Sequence, residues 1–131
     1  MLCSVFVLIP EEVAAEQDGD YVYSISGSPA SATITGYTGV GGDIVIPPTL
    51  GGYPVTEIGG QAFYDEDSLT SVVIPEGIKV IGYSSFAECQ NLKSVTMPNS
   101  VLMIQNGAFN YDPNLLDVGM SNNLTIIGYS A

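Results

Sequence analysis

The sequence predicts a β-rich solenoid: coils of short strands and turns stacked behind an N-terminal hairpin cap, with little regular helix. Three observations carry this. Apolar residues recur at a step of 23, in the series Leu69, Leu92 and Leu115, then Val72, Val95 and Val118, then Ile81, Ile104 and Ile127, with Phe63, Phe86 and Phe109 beside them. A fixed period with apolar residues at fixed offsets marks units that complete their core against neighbouring copies. Two units open with the pattern Leu-x-x-Val-x-(Ile/Met)-Pro, at Leu69 and Leu92. Alternation there sends Val72 and Ile74 to one face and Ser71 and Val73 to the other, and the proline ends the ladder because it has no N–H to donate. Finally, Ile46-Pro47 returns as Ile74-Pro75, Met97-Pro98 and Met120-Ser121, at intervals of 28, 23 and 23. The extra five residues fall in the turn-rich stretch 49–54, and the frame resumes with Ile58 and Ile81. An insertion absorbed in a loop leaves the stack in phase.

Taken in order, residues 1–15 read as a truncated signal peptide. An apolar run to Ile9 is followed by Val13-Ala14-Ala15, the small-residue pattern read by signal peptidase, which places cleavage after Ala15. The positive n-region is missing, so its start is read as upstream of Met1; the alternative is a short buried strand. Nine residues are too few to span a bilayer, and no membrane insertion of the mature chain is expected. Residues 16–42 form an N-terminal linker and hairpin cap. Within it 16–20 is the linker, 21–25 and 32–35 are the paired strands, and 36–42 is a glycine-rich loop. The solenoid proper is 43–131, with an irregular first coil at 43–68, full coils at 69–91 and 92–114, and an incomplete coil at 115–131. Inside a full coil Ile78 and Ile81 point inward, Gly82 turns a corner at positive φ, Phe86 is the large plug and Cys89 a small apolar filler. The last coil holds 17 of its 23 residues. That reads as a fragment of a longer array, or as an end covered by a partner, because solenoids need polar caps.

Composition removes several function classes. The 131 residues are 46% hydrophobic, enough for one domain with a sizeable core. Fourteen acidic residues face two basic ones, Lys79 and Lys93, for a net charge of -12. Nucleic-acid binding needs cations against phosphate and is not expected, and an anionic membrane surface repels the chain. With no histidine, neither a Ser-His-Asp nor a Cys-His arrangement nor a His-based zinc site is available. Cys3 lies in the leader, which leaves Cys89 alone, so no intrachain disulfide is expected.

No catalytic, cofactor-binding or metal-ligating residue is predicted. Asp65-Glu66-Asp67 lacks the spacing of a calcium loop and reads as a solvated turn. Cys89 has no cation near it in sequence except Lys93, and its phase makes it a core filler rather than a nucleophile. Tyr37, Tyr53, Tyr64, Tyr83, Tyr111 and Tyr129 fall mainly at turns, where they line coil edges or stack on sugars.

The unit from Leu69 to Cys89, the lead-in Ile34-Thr-Gly-Tyr-Thr-Gly, and the segments Gly42-Asp-Ile-Val-Ile-Pro and Gly52-Tyr-Pro-Val-Thr-Glu-Ile-Gly resemble the BspA-like class of leucine-rich repeats. This resemblance covers about residues 34–131. It implies a right-handed superhelix with a β-sheet on the concave side, in secreted or cell-surface bacterial proteins, with roles in adhesion or protein binding rather than catalysis. The concave strands then expose Asp43 and Val45, and the partner-binding residues are expected to be Ser71, Val73, Ser94, Thr96, Asp117 and Gly119. The partner is a protein or a glycan. Alternative readings are a carbohydrate-binding or spacer module of a larger extracellular protein.

Overall fold

The structure is a computed structural model that describes residues 14–131. The predicted leader therefore lies outside the described residues, except for Ala14 and Ala15, which are exposed and irregular. The described chain is a β-solenoid of about four turns with a 23-residue period, made of short strands and turns without a helix.

Three strands precede the repeats: β1 (Glu16–Asp18), β2 (Tyr21–Ser26) and β3 (Ser31–Tyr37). β2 and β3 form the expected antiparallel hairpin. Residues 16–18 are not linker: β1 pairs with the free edge of β2, Gln17 opposite Val22. Its exposed acidic side chains hid a strand whose ladder needs only backbone. β3 then does more than close a hairpin. It runs parallel to β6 (Tyr53–Ile58), with Ile34 opposite Ile58, and so acts as the outer strand of a coil.

Each later coil contributes to two parallel sheets. The first contains β4 (Gly42–Val45), β7 (Leu69–Val73), β9 (Ser94–Thr96) and β11 (Asp117–Gly119), in spatial order β11-β9-β7-β4. The second continues from the hairpin through β6, β8 (Val80–Ile81), β10 (Met103–Ile104) and β12 (Ile126–Ile127). This second sheet was not foreseen; two-residue strands have no alternation to read. The insertion at 49–54 is itself a small hairpin, β5 (Thr49–Leu50) against the start of β6.

The third side of each coil has no strands, yet it too is a backbone ladder. Phe63 N–H donates to Ser85 O at 2.8 Å and Phe86 N–H to Ala108 O at 2.8 Å, with Asp65 to Ala87 and Glu88 to Asn110 beside them. Two residues per coil adopt left-handed backbone there. Gln61, Ser84 and Gly107 have φ of 60°, 48° and 65°, and Asp65, Glu88 and Tyr111 have 59°, 63° and 59°. The predicted positive-φ corner at Gly82 is thus wrong. The left-handed residue is Ser84, and Gly82 is needed for close approach: a Cβ there would lie 2.6 Å from both Gly59 C and Gly60 N. One coil later Gln105 carries a side chain at that position, and its Oε1 accepts the Tyr83 N–H at 3.1 Å.

Between the three ladders runs one apolar spine. Leu69 and Leu92, Val72 and Val95, and Ile81 and Ile104 are buried in register. Phe63, Phe86 and Phe109 form a column, with ring centroids 4.9 and 5.5 Å apart and planes within 8° and 6°. That spacing is close to the strand separation of about 4.7–4.9 Å, since each coil supplies one ring. Tyr37 is not an edge residue as expected. It caps the column at 5.4 Å from Phe63, and Tyr21 packs on Tyr37 at 5.4 Å. Asparagines tie successive coils: Asn91 Nδ2 donates to Asp67 O at 2.8 Å and Asn114 Nδ2 to Gln90 O at 2.6 Å. Toward the last coil Phe109, Leu115, Val118 and Leu124 are only partly buried, and Ile127 is exposed.

Candidate functional site

The six residues expected to meet a partner lie on the β4-β7-β9-β11 sheet, which places them in two rows. Register aligns Ser71 with Ser94 and Ser94 with Asp117, and adds Asp43 at the β4 edge. The second row runs Val45, Val73, Thr96, Gly119. Because alternate side chains leave a strand on the same side, both rows belong to the face opposite Val72 and Val95, which are buried. Val45 is 69% exposed and Val73 39%; Thr96, Asp117 and Gly119 are exposed, and Ser71 and Ser94 are half-buried.

The Ser71 hydroxyl is already engaged. It donates to Asp43 Oδ1 at 2.8 Å, and Thr70 Oγ1 donates to the same oxygen at 2.6 Å. These two hydroxyls, followed by the nearby charge of Lys93, hold the Asp43 carboxyl below its usual range, so it stays ionised. Ser94, Thr96 and Asp117 make no side-chain hydrogen bond among the described residues and are available to a ligand. Asp43 and Thr70 are 27 residues apart, an offset produced by the insertion after β4, which is why periodicity did not reveal the pair.

The other candidates resolve into structure. Cys89 is fully buried, its Sγ 3.1 Å from Phe63 O, and burial pushes its thiol up to about 12. It is the small core filler. Asp112 occupies the same place one coil later. Its Oδ1 accepts the Cys89 N–H at 2.8 Å, its Oδ2 is buried without a partner among the described residues, and burial pushes its carboxyl up to about 7. Asp65, Glu66 and Asp67 do not converge; among the described residues no three His, Cys, Asp or Glu side chains are grouped so as to hold a metal ion. Tyr64 donates to Glu88 Oε1 at 2.6 Å and the Tyr83 ring covers Gly60, so both line coil edges. A wide depression of about 560 Å³ lies at the last coil, lined by Phe109, Tyr111, Asp112, Pro113 and Ser130 among others. It is an open depression rather than an enclosed pocket.

Residues 44–131 match the family described as BspA type leucine rich repeat region (6 copies). The chain belongs to this family. As a BspA-type repeat protein it is similar to solved bacterial structures. A leucine-rich repeat protein of T. pallidum superposes with a TM-score of 0.81 at 28% identity, over 87% of this chain and 53% of that one. A leucine rich cell surface protein of Faecalibacterium prausnitzii A2-165 gives 0.78 at 37% identity, over 86% and 32%. A leucine-rich repeat protein of Bacteroides ovatus gives 0.77 at 25% identity, over 86% and 31%. The chain thus spans about half or less of these relatives' lengths. No curated protein matches it. Among the described residues no helix is long and apolar enough to cross a membrane.

Proposed function

We propose that this BspA-type chain is a non-catalytic protein-binding module of a bacterial cell surface, acting in adhesion through the exposed face of the β4-β7-β9-β11 sheet. The observation that carries the reading is the pairing of a rigid support with an unoccupied face. Four parallel strands are locked in register by a buried spine, while Val45, Val73, Thr96 and Asp117 stand exposed on the outer side. A surface held by packing on its back loses little conformational entropy when a partner docks. The cell-surface setting is supported by the likeness to the F. prausnitzii protein described in those words. A glycan platform is less well supported, because the exposed tyrosines Tyr53, Tyr64, Tyr83, Tyr111 and Tyr129 all lie off the strands of this face.

The test is retention of a protein ligand by the full-length protein. Thr96→Arg and Val73→Arg place long charged side chains on the face and are expected to abolish retention. Asp65→Asn, on the strandless side of the coil, is expected to leave it unchanged. Retention that survives both face substitutions in a folded protein refutes the assignment.

A further inference from the structure

The face is not chemically neutral: it carries two carboxylates three strands apart. Asp43 on β4 and Asp117 on β11 stand in one row with Ser71 and Ser94 between them. Three strand separations lie between them, so their Cα atoms are about 14–15 Å apart. Asp43 is oriented in advance. Both hydroxyl donors use Oδ1, and Oδ2 has no hydrogen bond among the described residues. Asp117 is exposed and its carboxylate makes no hydrogen bond there either. Next to this row, Val45 and Val73 form an exposed apolar rail. Lys93, one residue before Ser94, is the cation whose charge is felt at Asp43, yet no ion pair joins the two. It opposes two carboxylates on the face and a net charge of -12 on the chain.

An extended peptide repeats its facing side chains every second residue and rises about 3.3–3.4 Å per residue. Residues i and i+4 on such a strand therefore face the same way about 13–14 Å apart, close to the separation of the two carboxylates. We propose that the partner of this face is a protein segment in extended conformation that carries Lys or Arg at positions i and i+4, laid across the strands so that its cations meet Asp43 and Asp117. The residue at i+2 falls midway along the row, between Ser71 and Ser94, within reach of the unengaged Ser94 hydroxyl. The aliphatic stem of the basic residue at Asp43 lies along Val45 and Val73, which a long cationic side chain covers while keeping its head at the carboxylate, and the stem of the one at Asp117 passes over Gly119. This identification rests on the binding-face reading above and adds the partner's chemistry and spacing to it.

The experiment titrates the full ¹⁵N-labelled chain with two short peptides of one composition. One carries two lysines at i and i+4 of a Thr/Ser sequence, the other carries them adjacent. The expected result is that the spaced peptide shifts the amide resonances of 43, 71, 94 and 117 and binds about two- to five-fold more tightly than the adjacent one, the scale of exposed ion pairs. Asp43→Asn and Asp117→Asn each weaken it by a similar factor, Asp65→Asn does not, and Lys93→Gln tightens it. Unchanged circular dichroism of each variant shows that the fold is intact. Equal affinity for both peptides, or equal weakening by Asp65→Asn and Asp117→Asn, means that net charge alone attracts cations and overturns the proposal. Absence of binding overturns it as well. Loss of the protein ligand with Thr96→Arg but not with Asp43→Asn or Asp117→Asn would leave the binding face standing and remove only the basic partner.

Discussion

Phe86→Ala removes the middle ring of the aromatic column. The side chain is fully buried, and it stacks on Phe63 at 4.9 Å and on Phe109 at 5.5 Å. Truncating a buried phenylalanine costs about 3–5 kcal/mol through lost transfer energy and the cavity left behind. Two stacked partners place this site toward the upper half of that range, since an aromatic pair adds roughly 0.5–1.5 kcal/mol beyond area. Collapse is restricted because three backbone ladders hold neighbouring coils at fixed separation. Against a total stability of about 5–15 kcal/mol the loss is large. At this chain length it lowers Tm by about 12–20 °C, measured by circular dichroism alongside urea unfolding. Val73→Ala gives the internal comparison: its side chain is 39% exposed, and its truncation is expected to cost less than about 1 kcal/mol. A cost of Phe86→Ala no larger than that of Val73→Ala refutes a buried aromatic column.

Four further outcomes follow from the geometry. Gly82→Ala drives a Cβ onto the Gly59 and Gly60 backbone and is expected to cost about 1–3 kcal/mol in urea unfolding. Gly119→Ala, whose nearest neighbour would lie at 3.8 Å, is expected to change stability by less than about 0.5 kcal/mol. Cys89 is expected to resist thiol reagents in the native protein and to react once denaturant unfolds it, because burial keeps the thiol protonated; rapid native-state labelling would contradict its placement. Asp112 sets a pH dependence. Its folded pKa of about 7 is above the ordinary 3.8, so the folded state binds the extra proton, and the associated stability is complete below about 3.8 and lost as pH rises through about 7. Asp112→Asn is therefore expected to match the parent near pH 4 and exceed it at pH 8, by roughly 1–2 kcal/mol once solvent screening of a half-exposed group is allowed for. Burial also raises Glu57, so the difference between the two proteins is what must be compared. A difference independent of pH would remove Asp112 as its cause.

Much of the candidate site was legible before the fold was known, and the parts that were not share a cause. Ser71, Ser94 and Asp117 align because each stands at the same offset within its coil. The clamp on Asp43 does not obey that rule, since it joins residues across the five-residue insertion, whose accommodation depends on how the β5–β6 hairpin folds back. Tyr37 was missed for a similar reason. It precedes the first repeat, and only the parallel pairing of β3 with β6 brings its ring over Phe63.

The amino-acid order alone determined the period, the inward residues and hence the spine, because a solenoid buries each residue against its own equivalent one coil away. A repeat of 23 is then also a contact map. Tertiary structure alone decided the backbone conformation on the strandless side, the role of Gly82 and the ionisation of Asp112. These depend on how closely adjacent coils approach and on which groups their carbonyls and amides meet. Such distances are set by three ladders acting together and are written in no single unit of the chain.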